Sequence, residues 1–312
     1  MSQPGEQRGS APVTAFELQR PRLFGLAYRM LGSAADAEDV VQDVFLRWHG
    51  TEPGSVEKPS AWLAKVATNL CLNRLGSAPI RRERYIGSWL PEPVLTSEGA
   101  LGPLETAEQR DTVSLAFLVL AERLTPGERA VFVLREAFGY SHREVAELVG
   151  LSESNCRQLH SRARKRLSAA RLPPSANDDP ESRILVDRFL AAARGGDLAG
   201  LERMLAEDVT AVADGGGTPG VARLPVRGAE KVARYLTVVT SRYVEGLTVS
   251  VCEVNGTVAA AGWFASRLLG VVVPDVANGR ITNIHILANP GKLRFVGTQL
   301  ARLSHSEAPF GS

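Results

Sequence analysis

The chain has 312 residues, 44% of them hydrophobic and 22% charged, with a formal net charge of +2. That length exceeds one typical globular core and predicts two or more domains, with apolar material enough to fill them. The N-terminal MSQPGEQRGS lacks the apolar run of a secretory signal, and the most apolar stretch, Leu268 to Val273, is far too short to span a bilayer, so no membrane partner is expected.

Cys71, Cys156 and Cys252 lie far apart with no CxxC pair, and the five histidines are equally scattered. This pattern fits reduced thiols rather than a disulfide framework or a zinc site, and predicts a cytoplasmic protein without metal or cofactor. Residues 1 to 175 carry 22 basic and 20 acidic side chains, and the remainder 14 of each. Any strong charge feature is therefore local.

A first helix is predicted from Phe16 to Leu31, where Leu23, Ala27, Met30 and Leu31 recur at helical spacing. The next, AADAEDVVQDVFLRWH, puts Ala37, Val40, Val41, Val44 and Trp48 on one face and Asp36, Asp39 and Asp43 on another. Such an acidic stripe serves either as a solvated face or as a partner surface. After the loop HGTEPGSVEKP, the segment SAWLAKVATNLCLNRL is predicted helical with Ser60 as its N-cap. Periodicity is then lost from Gly76 to about Gly102, and WLPEP (Trp89 to Pro93) suits an extended linker.

Helices resume near Leu104, and Thr125-Pro126-Gly127-Glu128 and Ser141-x-x-Glu144 both have the form of capping boxes. A second linker, LPPSANDDPES, is the clearest domain boundary. Beyond it come helices from Ser182 to Ala193 and Leu198 to Leu205, the strand VTAVAD, three glycines, and the helix GAEKVARYLTVVTSR. Strands follow at Leu247 to Val254, Val258 to Ser266, Leu268 to Val273 and Arg280 to Leu287, so this half is predicted α+β.

The local charge feature lies between Ser154 and Arg171, which hold six basic residues and no acidic one. A helix from His142 to Val149 breaks at Gly150 and restarts at Ser152, with Ala146 at the contact and Cys156 and Leu159 on the inner face. This is the helix-turn-helix pattern. Its second helix presents Ser154, Asn155, Arg157, Gln158, Ser161, Arg162 and Lys165, a set in which Arg and Gln can read base edges while the other basic groups neutralise phosphates. DNA is the partner these residues imply. A stand-alone repressor or activator with a ligand-responsive C-terminal domain and a component of a larger machine both remain open on this ground.

The segments DAEDVVQDVFLRWH, AWLAKVATNLCLNRL and LTPGERAVFVLREAFGYSHREVAELVGLSESNCRQLHSRARKRL, in that order over residues 15 to 171, resemble the core of the extracytoplasmic-function RNA polymerase sigma factors of the sigma-70 family. The resemblance implies two all-α domains, sigma region 2 (15–80) and the helix-turn-helix sigma region 4 (104–172), joined by a linker (81–103). A flexible N-terminus (1–14) precedes them. Asp36, Glu38, Asp39, Asp43 and Arg47 would then dock on the β′ clamp helices of core RNA polymerase, and region 4 on its β flap. Lys58, Ser60, Trp62, Lys65, Asn69, Asn73 and Arg74 would capture the melted −10 promoter element, where bases enter a protein pocket. Ser141 and Arg143, with the seven side chains of the second helix, would read the −35 element. Cys156 and His160 depart from the valine and the apolar residue usual in relatives.

WLPEP, DGGG (Asp214 to Gly217) and NPGKL (Asn289 to Leu293) further resemble the SigJ-type subgroup, which carries a fused SnoaL-like domain of the NTF2 cone-shaped α+β fold. That resemblance places the domain at 182–304, after a linker (173–181) and before a tail (305–312). Thr218 stands where the subgroup usually has lysine. Relatives of this fold include isomerases and cyclases, so Asp214, Asp275 and His285 are candidate pocket acids or bases, with His285 sharing a strand face with Ile281, Asn283 and Leu287. No acid/base pair at a defined spacing accompanies them, and the expectation is a regulator and not an enzyme. Its contact set is Trp89, Leu90, Pro91, Glu92 and Pro93 with Asp214, Gly215, Gly216, Gly217, Asn289, Pro290, Lys292 and Leu293, the two loops meeting region 2 or the linker. A small-molecule ligand, which the sequence does not name, could bias that contact. The expected protein is a sigma factor tuned by its own C-terminal domain.

Overall fold

The computed structural model describes residues 10–52, 54–83, 85–96, 99, 101–102, 104, 106–168, 180–241 and 246–306. It divides into two compact units, one of residues 1–80, 99–113 and 120–171, the other of residues 81–98, 114–119 and 172–312. Of the segments expected as tails and second linker, residues 1–9, 173–179 and 307–312 lie outside the described residues.

The first unit is helical. Helix α1 (Ser10–Leu31) starts six residues before the expected Phe16, since a proline at position 12 is tolerated in a first turn that needs no donor. Helix α2 (Ala34–His49) has the expected bounds, and Ser33 caps it by accepting from the Asp36 N–H at 3.0 Å. Helix α3 (Pro59–Glu83) begins at Pro59, so Ser60 lies inside the first turn and is not the cap. Proline prefers that first position, where its missing N–H costs nothing. The helix also runs through Gly76 to Glu83, into what the loss of periodicity marked as linker. Neither Gly76, at about 1 kcal/mol, nor Pro79, at about 3 kcal/mol, ends the helix there.

Leu23, Ala27 and Met30 of α1, Val40, Val41 and Val44 of α2, and Leu63, Ala67 and Cys71 of α3 are all buried. Arg29 is buried with them. Its guanidinium donates to Thr112 Oγ1 at 3.0 Å and to the carbonyls of Leu101 (2.6 Å), Gly25 (3.1 Å) and Gln109 (3.1 Å). Burial lowers its pKa to about 9, which leaves it charged at neutral pH. Position 25 must be glycine for this approach, because a Cβ there would stand 2.1 Å from the Leu101 carbonyl oxygen.

Short helices α4 (Ala107–Asp111) and α5 (Leu115–Ala121), the latter mostly within the second unit, lead to α6 (Pro126–Glu136), α7 (His142–Val149) and α8 (Glu153–Ser168). Both capping boxes form, at Thr125 with Glu128 and at Ser141 with Glu144. Gly150 takes the left-handed conformation (φ 71°) that ends α7 and lets α8 turn back. Arg129 of α6 is tied to the end of α1 through the Met30 carbonyl at 2.8 Å and to Glu122 at 3.0 Å.

The second unit is α+β, as expected for a SnoaL-like domain. Helices α9 (Pro180–Gly195) and α10 (Leu198–Met204) precede β1 (Leu205–Asp214) and the short β2 (Val226–Arg227). Then come α11 (Ala229–Ser241), β3 (Leu247–Val254), β4 (Thr257–Phe264), β5 (Arg267–Ala277), β6 (Arg280–Leu287) and α12 (Arg294–Ser306). The strands form one sheet in the order β2-β1-β6-β5-β4-β3, antiparallel except for β1 beside β6.

Strand alternation separates two cores. Ala211, Ala213, Ala260, Ile284 and Ile286 face a cluster with Val186, Phe189 and Leu236 of α9 and α11. Ala259, Val271, Val273 and Leu287 face the other way, onto Leu293 and Val296, and also onto Leu90 and Leu95 from the stretch that sequence marked as linker. At roughly 1.5–3 kcal/mol for each fully buried Leu or Val, Leu90 and Leu95 anchor that stretch to the sheet.

Candidate nucleic-acid face and linker-binding site

Helix α8 sorts its residues by face. Cys156, His160, Ala163 and Leu167 are buried, and Ser154, Asn155, Arg157, Gln158, Ser161, Arg162 and Lys165 are all exposed. His160 occupies an inner position without an apolar environment to itself. Its Nε2 meets the Glu136 carboxylate at 2.6 Å, which holds the Glu136 carboxyl below its ordinary value. Arg157 is drawn to Glu153 one turn earlier, and Arg143 lies 3.5 Å from Glu147 on α7, whose cap Ser141 is exposed.

On α2, Asp39 and Arg47 are exposed, while Glu38 pairs with Arg20 at 2.9 Å and Asp43 with Arg74 at 2.9 Å. Arg74 also donates to the Asp36 carbonyl. The structure thus joins two groups that sequence reading put in different sets, using Arg74 to fasten α3 onto α2. Lys65, Asn69 and Asn73, four residues apart, form one exposed face of α3, with Lys58 and Ser60 exposed at its start. Trp62 is half-buried and its ring lies 5.7 Å from that of Trp48.

In the second unit the DGGG and NPGKL loops close on the linker. Asp214 is at the end of β1 on the linker face, fully buried. One carboxylate oxygen accepts from the Tyr85 hydroxyl, and the other from the Leu90 N–H at 2.8 Å and the Lys292 ammonium at 2.7 Å. Lys292 also donates to the Leu90 carbonyl, so both polar backbone groups of Leu90 are held by one ion pair. The ammonium lies over the rings of Trp89 (4.2 Å) and Tyr85 (4.8 Å), a cation–π arrangement that offsets part of its desolvation. Asn289 donates to the Tyr85 hydroxyl at 2.7 Å. Burial, and then the bond to Asp214, push the Tyr85 phenol well above its usual range.

The glycines permit this closeness. A Cβ on Gly216 would lie 2.4 Å from Asn289 Nδ2, and Gly216 has φ +56°. Farther along, Val94 N–H donates to Asn255 Oδ1 (3.1 Å), Leu95 N–H to Gln299 Oε1 (2.9 Å) and Thr96 N–H to the Glu253 carbonyl (3.0 Å). Pro91 and Pro93 are buried and Glu92 is half-buried beside Leu90. Tyr85, Thr96, Asn255 and Gln299 escaped the sequence reading. Asn255 carried a signal, as an Asn-Gly pair between two strands, which favours positive φ, here 56°.

The candidate acids and bases lie apart from the cavity of this domain. A cavity of about 320 Å³ lies on the opposite, helix-covered face of the sheet, and Asp214, Asp275 and His285 are not among its lining residues. Ile286 faces it, so by alternation His285 faces away. Ile281 does not share the face of His285, because a register irregularity opposite Asp275 turns Ile281 into the Ile284 and Ile286 cluster. His285 meets Asp275 at 3.1 Å, both nearly buried, as a structural pair.

Comparison with known proteins gives two family matches, to sigma-70 region 2 over residues 15–78 and to sigma-70 region 4 over residues 114–167. The chain is 39% identical to the ECF RNA polymerase sigma factor SigJ of Mycobacterium tuberculosis, over 92% of this chain and 94% of that one. It is 34% identical to another sigma factor of that organism, SigI, over 90% of this chain and 95% of the relative. The crystal structure of M. tuberculosis SigJ matches with a TM-score of 0.72 at 34% identity, covering 91% of this chain and 98% of that one.

Proposed function

Because the chain belongs to the extracytoplasmic-function family of RNA polymerase sigma factors, we propose that its C-terminal α+β half controls initiation from within, by holding residues 85–96. Membership fixes the general activity: with core RNA polymerase, the protein directs promoter-specific transcription initiation. The work is done by binding and needs no chemistry on a substrate. Its setting is the cytoplasm, where polymerase and chromosome are.

Within that activity, Asp39 and Arg47, flanked by Asp36, Glu38 and Asp43, are assigned to the β′ clamp helices. The exposed Lys65, Asn69 and Asn73 face, with Lys58, Ser60, Trp62 and Arg74, is assigned to the −10 element. The outer face of α8, with Ser141 and Arg143, is assigned to the −35 element, and region 4 as a whole to the β flap. Exposure of Asp39, Arg47, Lys58, Ser60, Lys65, Asn69, Asn73 and the outer face of α8 supports these assignments, as do the residue types, since a carboxylate stripe suits a basic partner and amides with Arg suit base edges.

The observation that carries the control is the Asp214–Lys292 pair closed on both the N–H and the carbonyl of Leu90. Residues 81–98 follow region 2 in the chain and precede region 4, so fixing Leu90 constrains the path between the two promoter-reading parts. In vitro transcription with core polymerase tests this. Asp214→Asn, Lys292→Met and a chain ending near Ala176 are compared with the full chain, and core binding is measured separately. Changed promoter output at retained core affinity is the expected result, its sign giving the sense of control. Identical transcription from all four proteins overturns the reading.

A further inference from the structure

The cavity on the helix-covered face of the sheet contains none of Tyr85, Leu90, Asp214 and Lys292 in its lining, although Thr218 and Pro290, which border the linker-holding loops, are part of its rim, and that lining is selective. Phe189 and Leu190 from α9, Leu236 from α11, and Val249, Ala260 and Ile286 from the sheet make its walls apolar. Thr218 and Thr240 also line it, the Thr240 hydroxyl being bonded to the Ala193 and Leu236 carbonyls. No Asp, Glu or Lys is among the described lining residues, yet two arginines are: Arg194 in the last turn of α9 and Arg267 at the start of β5. Both are exposed, so they stand at the opening and not in the depth. Neither has an ion-pair partner among the described residues.

An apolar chamber of about 320 Å³ is in the range that holds a small organic ligand. Cations at its mouth select among such ligands by charge, because a guanidinium binds a carboxylate by paired, charge-assisted hydrogen bonds and repels an ammonium. The geometry points to a binding site for a small amphiphilic carboxylate, its hydrocarbon body in the chamber and its head group at Arg194 and Arg267. The site is separate from the Asp214–Lys292 contact and does not require the regulatory reading of that contact.

The test uses the full chain alone, without polymerase or DNA, and titrates it calorimetrically with decanoate, decanol and decylamine. Decanoate is expected to bind at least roughly tenfold more tightly than decanol, with decylamine weaker than both. The Arg194→Gln, Arg267→Gln double variant, altered only at exposed positions, is expected to bind decanoate no better than decanol and to leave decanol binding unchanged. Ala260→Phe, which fills the chamber, is expected to bind neither. If that variant fails to fold, the arginine variant carries the test. Absence of decanoate binding, equal affinity for decanoate and decanol, or full selectivity retained without the two arginines overturns the assignment.

Discussion

Lys292 and Asp214 form a 2.7 Å ion pair in which the carboxylate has no solvent exposure and the lysine side chain only 10%. Removing one member of such a pair strands the other in a low-dielectric site, a loss of about 3–5 kcal/mol. Lys292→Met should show that loss in denaturant unfolding. Pairing it with Asp214→Leu should recover part of it, since no buried charge then remains. A single variant as stable as the parent would mean that the pair does not hold the linker.

Gly216 and Gly217 are neighbours with different constraints. Both have positive φ, but a Cβ on Gly216 runs into Asn289, and one on Gly217 meets only Ile86 at 3.6 Å. Gly217→Ala should therefore cost only the backbone strain, about 1 kcal/mol. Gly216→Ala should cost more, by roughly 1–3 kcal/mol further, because Asn289 must leave the Tyr85 hydroxyl. Thermal unfolding of both variants gives the order.

Glu136 gives the first unit a pH dependence. Its pKa is lowered chiefly by the hydrogen bond from His160, with the charges of His160, Arg164 and Arg135 also favouring the carboxylate. A carboxyl depressed on folding stabilises the native state above its unfolded pKa, and that contribution is lost as pH falls through the lower, folded value. Stability should drop on acidification below the ordinary value of 4.5, and Glu136→Gln should flatten that part of the profile. Unfolding free energies measured between neutral pH and the acid limb decide the point.

On α8, Arg162 is exposed and Gln158 lies one turn before it on the same face. Loss of a bidentate base contact costs about 1–3 kcal/mol, so Arg162→Ala should lower transcription from promoters that depend on a −35 element by roughly tenfold or more. Promoters altered at −35 should lose less. Lys165→Ala should weaken binding to all sequences alike and reduce the salt dependence, which is the mark of a phosphate contact.

Local rules made much of this fold legible. The bounds of α2, α7, β3 and β6 follow from caps, periodicity and turn residues, and the exposed face of α8 from helical spacing with unopposed charge. What escaped is tertiary. Residues 85–96 look like linker because they lack periodicity, yet Leu90 and Leu95 are buried on a sheet more than a hundred residues away in sequence. The face that Ile281 takes relative to His285 depends on one register irregularity, and a shift of one residue in a strand exchanges its faces. Helix α12 was missed although Val296, Leu300 and Leu303 recur at helical spacing on its inner face. Asp214 and Lys292 were legible only as parts of two motifs, since nothing in composition says that one carboxylate and one amine will share a single leucine's backbone.

Strand β3 is the last in the sheet, so one side of it has no neighbouring strand. The segment around Leu95 covers its far end, through a bridge from Leu95 to Val254 and the bonds of Thr96 N–H to Glu253 and Asn255 N–H to Val94. An α+β fragment cut at the apparent domain boundary would leave that end bare beside the apolar surface of Val254, Ala259, Val271 and Leu287. Bare edges recruit strands from other molecules, so such a fragment should aggregate on purification. The autonomous folding piece is therefore discontinuous in sequence, and a soluble C-terminal half must carry residues 85–96 grafted to it.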